Sequence, residues 1–191
     1  MAYRILVIGA TGTIGTTVCE LLKAENADFT ALVRNDDKAK SFVSKGIKTV
    51  TGDLAELNSL RKAMHGIDKL FLLSVTSPDL PKLQGNAARV AKENGVKHIV
   101  KISVRGAAVD ADFNIGRFHG QTEKEIRELG IPFTFLQPHS FLQNLFFDRQ
   151  SILEKDAIFS TMGEGKIPMI DTRDIAAVAV KALLHDGHKE K

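Results

Sequence analysis

The sequence has no tryptophan, one tyrosine and one cysteine in 191 residues. The lone Cys19 cannot close an internal disulfide and has no cysteine neighbour with which to hold a metal. That excludes a cysteine-based metal site and fits a reducing compartment, the cytoplasm. His185 and His188 lie in a charged tail and make no metal site by themselves, so no metal is expected. No run approaches the ~18 consecutive apolar residues of a membrane helix. Met1 leads straight into a short strand and glycines, without the charged-then-apolar pattern of a signal segment, and no membrane association is expected. Neither charge dominates: 26 Lys plus Arg stand against 23 Asp plus Glu. A formal +3 without a Lys/Arg cluster is a poor footprint for nucleic acid, which asks for a basic face or stripe. The absence that weighs most is the aromatic hydroxyl, because Tyr3, at the start of the first apolar run, is the only phenol in the chain.

What is present is a regular alternation. Short β-branched and aliphatic runs predict strands over Tyr3 to Ile8, Phe29 to Val33, Lys48 to Thr51, Lys69 to Leu73, His98 to Ile102 and Phe133 to Leu136. Segments of helical period lie between and after them: Ile14 to Glu25, Asp37 to Lys45, Leu57 to His65, Leu80 to Asn94, Arg117 to Leu129 and Thr172 to Leu184. Asn94-Gly95 and Leu129-Gly130 stop two of the helices, and Ile131-Pro132 prevents continuation before the next strand. With right-handed crossovers this is an α/β protein, a doubly wound parallel sheet in a three-layer αβα arrangement, with strand order 3-2-1-4-5-6. A ligand is expected at the carboxyl ends of the strands.

The first strand-to-helix junction reads RILVIGATGTIGTTV, with Gly9, Gly12 and Gly15 spaced G-x-x-G-x-x-G. The chemistry asks for a tight turn off the strand, a position where backbone can approach a pyrophosphate, and close packing of helix on sheet. Thr11 and Thr13 add hydroxyl donors, and the amides at Ile14 meet an anion with the positive end of the helix dipole. The same three glycines can form a purely structural turn, but their place between a strand and a helix favours dinucleotide binding.

Arg34 follows the second strand, about 20 residues past the glycines, where an NAD enzyme places an acid on the ribose 2′-hydroxyl. A guanidinium there suits the 2′-phosphate of NADP(H), so NADP(H) is expected ahead of NAD(H). The alternative makes Arg34 a solvated cation, with Asp36 or Asp37 on the ribose. Lys38 either assists or faces water. Asp53, in the turn after the third strand, is placed for the adenine end or is simply a turn aspartate. Leu73 and Ser74 end the fourth strand beside the cofactor path.

Together these motifs resemble the NmrA-like family of atypical short-chain dehydrogenases, which includes NADPH-dependent quinone reductases and cofactor-sensing regulators. The likeness rests on GATGTIG, LVRN, GIDKLFLLS, HIVKISVRGA, EKEIRELGIPFTFLQPHSFLQNL and IDTRDIAAVAVKAL. It implies a Rossmann fold with Gly9, Thr11, Gly12, Thr13, Ile14, Gly15, Arg34, Asp53, Leu54 and Ser74 along the dinucleotide. It also implies that the turn Gln137-Pro138-His139-Ser140-Phe141 lies near the nicotinamide, and that Ser103 occupies the position of a catalytic serine. The family runs on beyond the equivalent of Lys191. Residues 1–191 are therefore expected to form a single NAD(P)-binding domain, with the family's C-terminal substrate-binding segment short or absent, and a second copy could cover the sheet edge left open, giving a homodimer.

Standard members of the superfamily reduce carbonyls with a Tyr-x-x-x-Lys pair, the phenol donating a proton. The resemblance puts Ile115 at the tyrosine position and His119 at the lysine position. Without the acid, the expected substrate is a quinone or a similar electron-poor small molecule, for which hydride transfer asks for positioning more than for acid catalysis. His119 is then the candidate for orienting substrate or donating a proton, or is a satisfied structural histidine. Phe141, Asn144, Phe146 and Phe147 gather near His139; aromatic walls with one amide suit a flat ring, and the plainer reading of the phenylalanines is core. The expected function is an NADPH-dependent oxidoreductase; the alternative is an NADP(H)-sensing regulator with little or no turnover.

Overall fold

The computed structural model describes residues 3–159 and 163–190. Six short parallel strands carry the sheet: β1 (Arg4–Val7), β2 (Asp28–Val33), β3 (Thr49–Thr51), β4 (Lys69–Leu72), β5 (His98–Ile102) and β6 (Phe133–Leu136). Their order is β3-β2-β1-β4-β5-β6, as the alternation and crossover rule predict. Every residue of β4 and β5 is buried, which is why these runs read as near-continuously apolar, with Lys69, His98 and Lys101 as buried polar exceptions.

The crossover helices are α1 (Thr13–Ala24), α2 (Asp36–Val43), α3 (Leu57–Met64), α4 (Leu80–Glu93) and α5 (Asn114–Glu128). The last element, α7 (Thr172–Leu184), follows a short helix α6 (Arg149–Lys155). One core layer packs α1, α2 and α7 on the sheet through residues such as Val18, Phe42 and Ala179; the opposite layer uses Leu60, Ala87 and Ile126 of α3, α4 and α5. Two caps are local in sequence. Asn35 Oδ1 accepts from the amide of Lys38 at 3.0 Å to start α2, and Asp171 Oδ1 accepts from Arg173 at 2.8 Å to start α7.

Expectation and structure differ in three places. Helix α5 begins at Asn114 rather than Arg117; its N-cap Phe113 offers no side-chain bond, so composition gives no start signal. The segment after β6 carries two two-residue strands, β7 (Ser140–Phe141) and β8 (Met169–Ile170), paired in parallel, with a 3-10 helix over Leu142–Asp148. Elements this short have no period to read. Finally, Phe146 and Phe147 are not core: they are 74% and 87% exposed.

Candidate active site

Two cavities open at the carboxyl ends of the strands and share Leu73 and Ser74, just past β4. The first, about 260 Å³, lies between the ends of β1 and β2 and the turn after β3, where Gly9, Thr11, Arg34, Lys38, Asp53 and Leu54 face it. The second, about 500 Å³, lies over β4, β5 and β6. Thr13 and Ile14 of α1 and Ile115 and His119 of α5 wall it on two sides, Ser103 stands at its β5 end, and the loop after β6 adds Pro138, His139, Phe141 and Asn144. Gln143 holds that loop in place: its Nε2 donates to Asp171 at 2.9 Å and its Oε1 accepts from the amide of Thr172 at 3.0 Å. The Arg173 guanidinium and amide keep the Asp171 carboxyl well below the usual range, so it stays ionised as the anchor.

The three glycines divide the work at the junction of the cavities. Gly9 has φ +81°, and a Cβ there would stand 2.5 Å from the carbonyl oxygen of Leu73. A Cβ on Gly15 would stand 2.0 Å from the Gly9 oxygen, so this position lets α1 close on the turn. Gly12 differs. It caps α1 without a side-chain bond, and a Cβ there meets only the Gly9 oxygen, at 3.5 Å. A side chain there would otherwise meet open space, at the N-cap of a helix whose first-turn amides, those of Thr13, Ile14 and Gly15, have no acceptor within the helix. That cradle fits a pyrophosphate.

Beyond β2, Arg34, Asn35 and Lys38 face the first cavity. Asp36 and Asp37 form the first turn of α2, with Asp37 paired to Lys40 at 2.9 Å. The side chain of Asp53 lines the cavity and also accepts from the amide of Ala55 at 2.8 Å, so its turn role and its cavity position coexist.

Beneath the second cavity lies a polar cluster. Lys101, wholly buried on β5, has its Nζ 2.7 Å from His119 Nδ1 and 3.2 Å from the carbonyl oxygen of Ile102. Burial lowers the Lys101 ammonium to about 7, opposed by the nearby Glu123 charge, and burial with the Lys101 charge lowers the His119 imidazole to about 3. Ser103 donates to Glu123 Oε1 at 2.5 Å, where Gln137 also donates at 2.9 Å, while Arg127 pairs with Oε2 at 3.2 Å. The Ser103 hydroxyl proton is thus directed at a buried carboxylate. Lys101, Glu123 and the role of Gln137 were not anticipated from residue type. The available signal was a lysine inside the apolar run HIVKI, flanked by residues that pack.

The remaining singular residues lie elsewhere. Tyr3 stands at the opposite end of the sheet, its hydroxyl 3.2 Å from Asp186 and its ring under Lys69 Nζ at 3.7 Å. Cys19 is wholly buried in α1 and burial pushes its thiol up to about 12, so it is an inert packing group. Among the described residues no group of three His, Cys, Asp or Glu is arranged to hold a metal ion, and no helix is long and apolar enough to cross a membrane.

A glycine cradle at the first β-to-α turn and a cleft across the sheet's reversal point define a dinucleotide-binding α/β protein. Residues 9–186 match the NAD(P)H-binding family, and the chain belongs to it. The chain is 43% identical over 187 residues to an NAD(P)H azoreductase of Xenophilus azovorans, covering 98% of this chain and 65% of the azoreductase. The NADP(H) complex of Citrobacter sp. triphenylmethane reductase superposes with a TM-score of 0.88 at 30% identity, over 99% of this chain and 68% of that one. The NADPH-dependent quinone oxidoreductase QOR2 of Escherichia coli, complexed with NADPH, gives 0.89 at 29%, over 97% and 66%. The chain therefore spans about two thirds of the length of each of these relatives.

Proposed function

We propose that residues 1–191 act as one NAD(P)-binding domain of an oxidoreductase that uses NADPH to reduce a quinone or a similar electron-poor conjugated acceptor. The observation that carries this reading is the pair of cavities joined at Leu73-Ser74. A dinucleotide with its pyrophosphate on the Gly12 cradle would run from Arg34 and Lys38 at one end to His119 at the other. A reduced nicotinamide, when bound, supplies hydride chemistry. The chain's own contribution is to bind and orient. Arg34 and Lys38 offer two cations to a 2′-phosphate, Pro138 and Leu73 flank the nicotinamide end, and Phe141 and Asn144 with His139 receive the flat acceptor. His119 offers a ring nitrogen to the heteroatom that gains a proton.

The absent phenol supports this choice of acceptor. A quinone becomes aromatic on reduction, and its oxygens need only a modest proton source. The relatives' names, azoreductase, quinone oxidoreductase and triphenylmethane reductase, all point to conjugated acceptors and favour turnover over cofactor sensing alone. Purified protein should oxidise NADPH with a simple quinone, followed by absorbance, and faster than it oxidises NADH. Saturable NADPH binding with no turnover across a panel of quinones and azo compounds would overturn the proposal.

A further inference from the structure

The Lys101 ammonium has no place in the tyrosine–lysine chemistry of short-chain dehydrogenases. It rises from a sheet strand rather than from the helix, and it is wholly buried. A lysine brought out of water in this way is costly unless a specific partner holds it. Here the partner is His119 Nδ1 at 2.7 Å, on a ring that itself lines the 500 Å³ cavity. A lysine ammonium so close to Nδ1 is the donor, because it has no lone pair to offer. Nδ1 must then accept, which places the imidazole proton on Nε2, the nitrogen left for the cavity.

We propose that Lys101 is a positioning residue that fixes His119 with Nε2–H directed to the substrate and replaces, through Nδ1, the proton that Nε2 gives up. This rests on the oxidoreductase reading, with the reduced nicotinamide dinucleotide as the source of hydride. An acceptor heteroatom that has gained the electron pair forms a bond to hydrogen as Nε2–H breaks. Nδ1–H forms as one Nζ–H of the Lys101 ammonium breaks. Lys101 ends as a neutral amine, His119 as its other neutral tautomer, and the substrate as the protonated product. After product leaves, a proton from solvent enters at Nε2 and the Nδ1 proton returns to Lys101.

The charged surroundings agree with this direction of flow. Helix α5 contributes His119 and Glu123 to Lys101; from the neighbouring strands its register partners are Leu72 and Phe135, both apolar. The buried face of α4 presents Gln84 and Asn86 but no charge. Glu123, held by Ser103, Gln137 and Arg127, is the anion that, among the described residues, favours the charged form of Lys101. Around His119 the cavity adds one other titratable group, His139, from the loop after β6.

The test uses the full chain labelled with nitrogen-15 at histidine. In the unliganded wild type, long-range proton–nitrogen correlation at about pH 6, where Lys101 is charged and the ring is neutral, should show His119 as the Nε2–H tautomer. In Lys101→Met, or in Lys101→Gln should the first fold poorly, it should show a mixture or the Nδ1–H form. With NADPH and a quinone, turnover should fall as pH rises from 6 to 9; in Lys101→Met it should be roughly 10-fold to 100-fold lower at pH 6 and lose that pH dependence. His139→Gln should retain the dependence. An unchanged tautomer and an unchanged pH profile in both Lys101 variants would overturn the assignment. A wild type without turnover, but with the tautomer shift, would support the positioning role and remove the oxidoreductase reading instead.

Discussion

A Cβ on Gly15 would lie 2.0 Å from the carbonyl oxygen of Gly9, whereas one on Gly12 would find nothing nearer than 3.5 Å. The two glycines of one loop therefore differ: Gly15 serves the packing of α1, while Gly12 is left open for the proposed ligand. Gly15→Ala must push α1 off the turn, an overpacking cost of about 3 kcal/mol or more, which for a chain of this size lowers Tm by on the order of 10 °C. Gly12→Ala, at φ −85°, meets no such clash. It should leave Tm nearly unchanged in thermal melts and weaken dinucleotide binding at least tenfold by calorimetry. Equal Tm losses in the two variants would show that Gly12 also serves packing.

Arg34 and Lys38 reach the same cavity from the end of β2 and the first turns of α2, while Asp37 is engaged with Lys40. Charge-assisted bonds to a 2′-phosphate are worth about 1.5–3 kcal/mol, or tenfold and more in affinity. Arg34→Ala should raise the Kd for NADPH by at least that factor and leave NADH nearly unaffected. If the ratio of the two Kd values does not move, Arg34 is a solvated cation and the preference has another origin.

The order of the sheet, both core layers and the glycine cradle were legible because each is a local pattern repeated along the chain: apolar runs of four to six residues, helical period, and glycines at a strand end. The polar floor of the second cavity was not. Lys101, His119 and Glu123 come from β5 and α5, and their meeting depends on strand direction, helix rotation and a close approach of α5 at Gly120, where a Cβ would stand 2.2 Å from Ala108. Residue type alone marks Lys101 as an oddity in an apolar run without saying what it touches. The opposite error arises at Phe146 and Phe147, where hydrophobicity suggests core and the structure leaves both rings in solvent.

His98 and His119 are both held neutral by burial, His98 down to about 4 and His119 to about 3. Both lie below the usual ~6.5, so between those limits the unfolded chain binds protons that the native state refuses. Their contribution is complete above pH 6.5 and is lost as pH falls. Each imidazole adds a slope of up to ~1.4 kcal/mol per pH unit in this window. Asp68 and Glu93, lowered by Lys97 and Arg61, add to the loss only at more acid pH. Urea unfolding from pH 7 to 5 should show a steep decline that His98→Asn flattens. A flat profile in the wild type would mean that these rings are accessible to protons in the native state.

Lys101 has the same sign of shift at the other end of the scale. Its native value of about 7 lies below the ordinary lysine value of 10.5, so between those pH values the unfolded chain carries a proton that the native chain has released. Stability should therefore rise with pH from 7 to about 10. Replacing a buried cation by an apolar group of similar length removes the desolvation cost, and such exchanges gain about 1–4 kcal/mol. Lys101→Met should unfold at higher urea concentration than the wild type at pH 7 and lose that advantage near pH 10. A variant less stable at both pH values would make Lys101 a structural strut. One that is more stable at neutral pH while losing turnover would mark a lysine kept at a cost to the fold for the sake of the site.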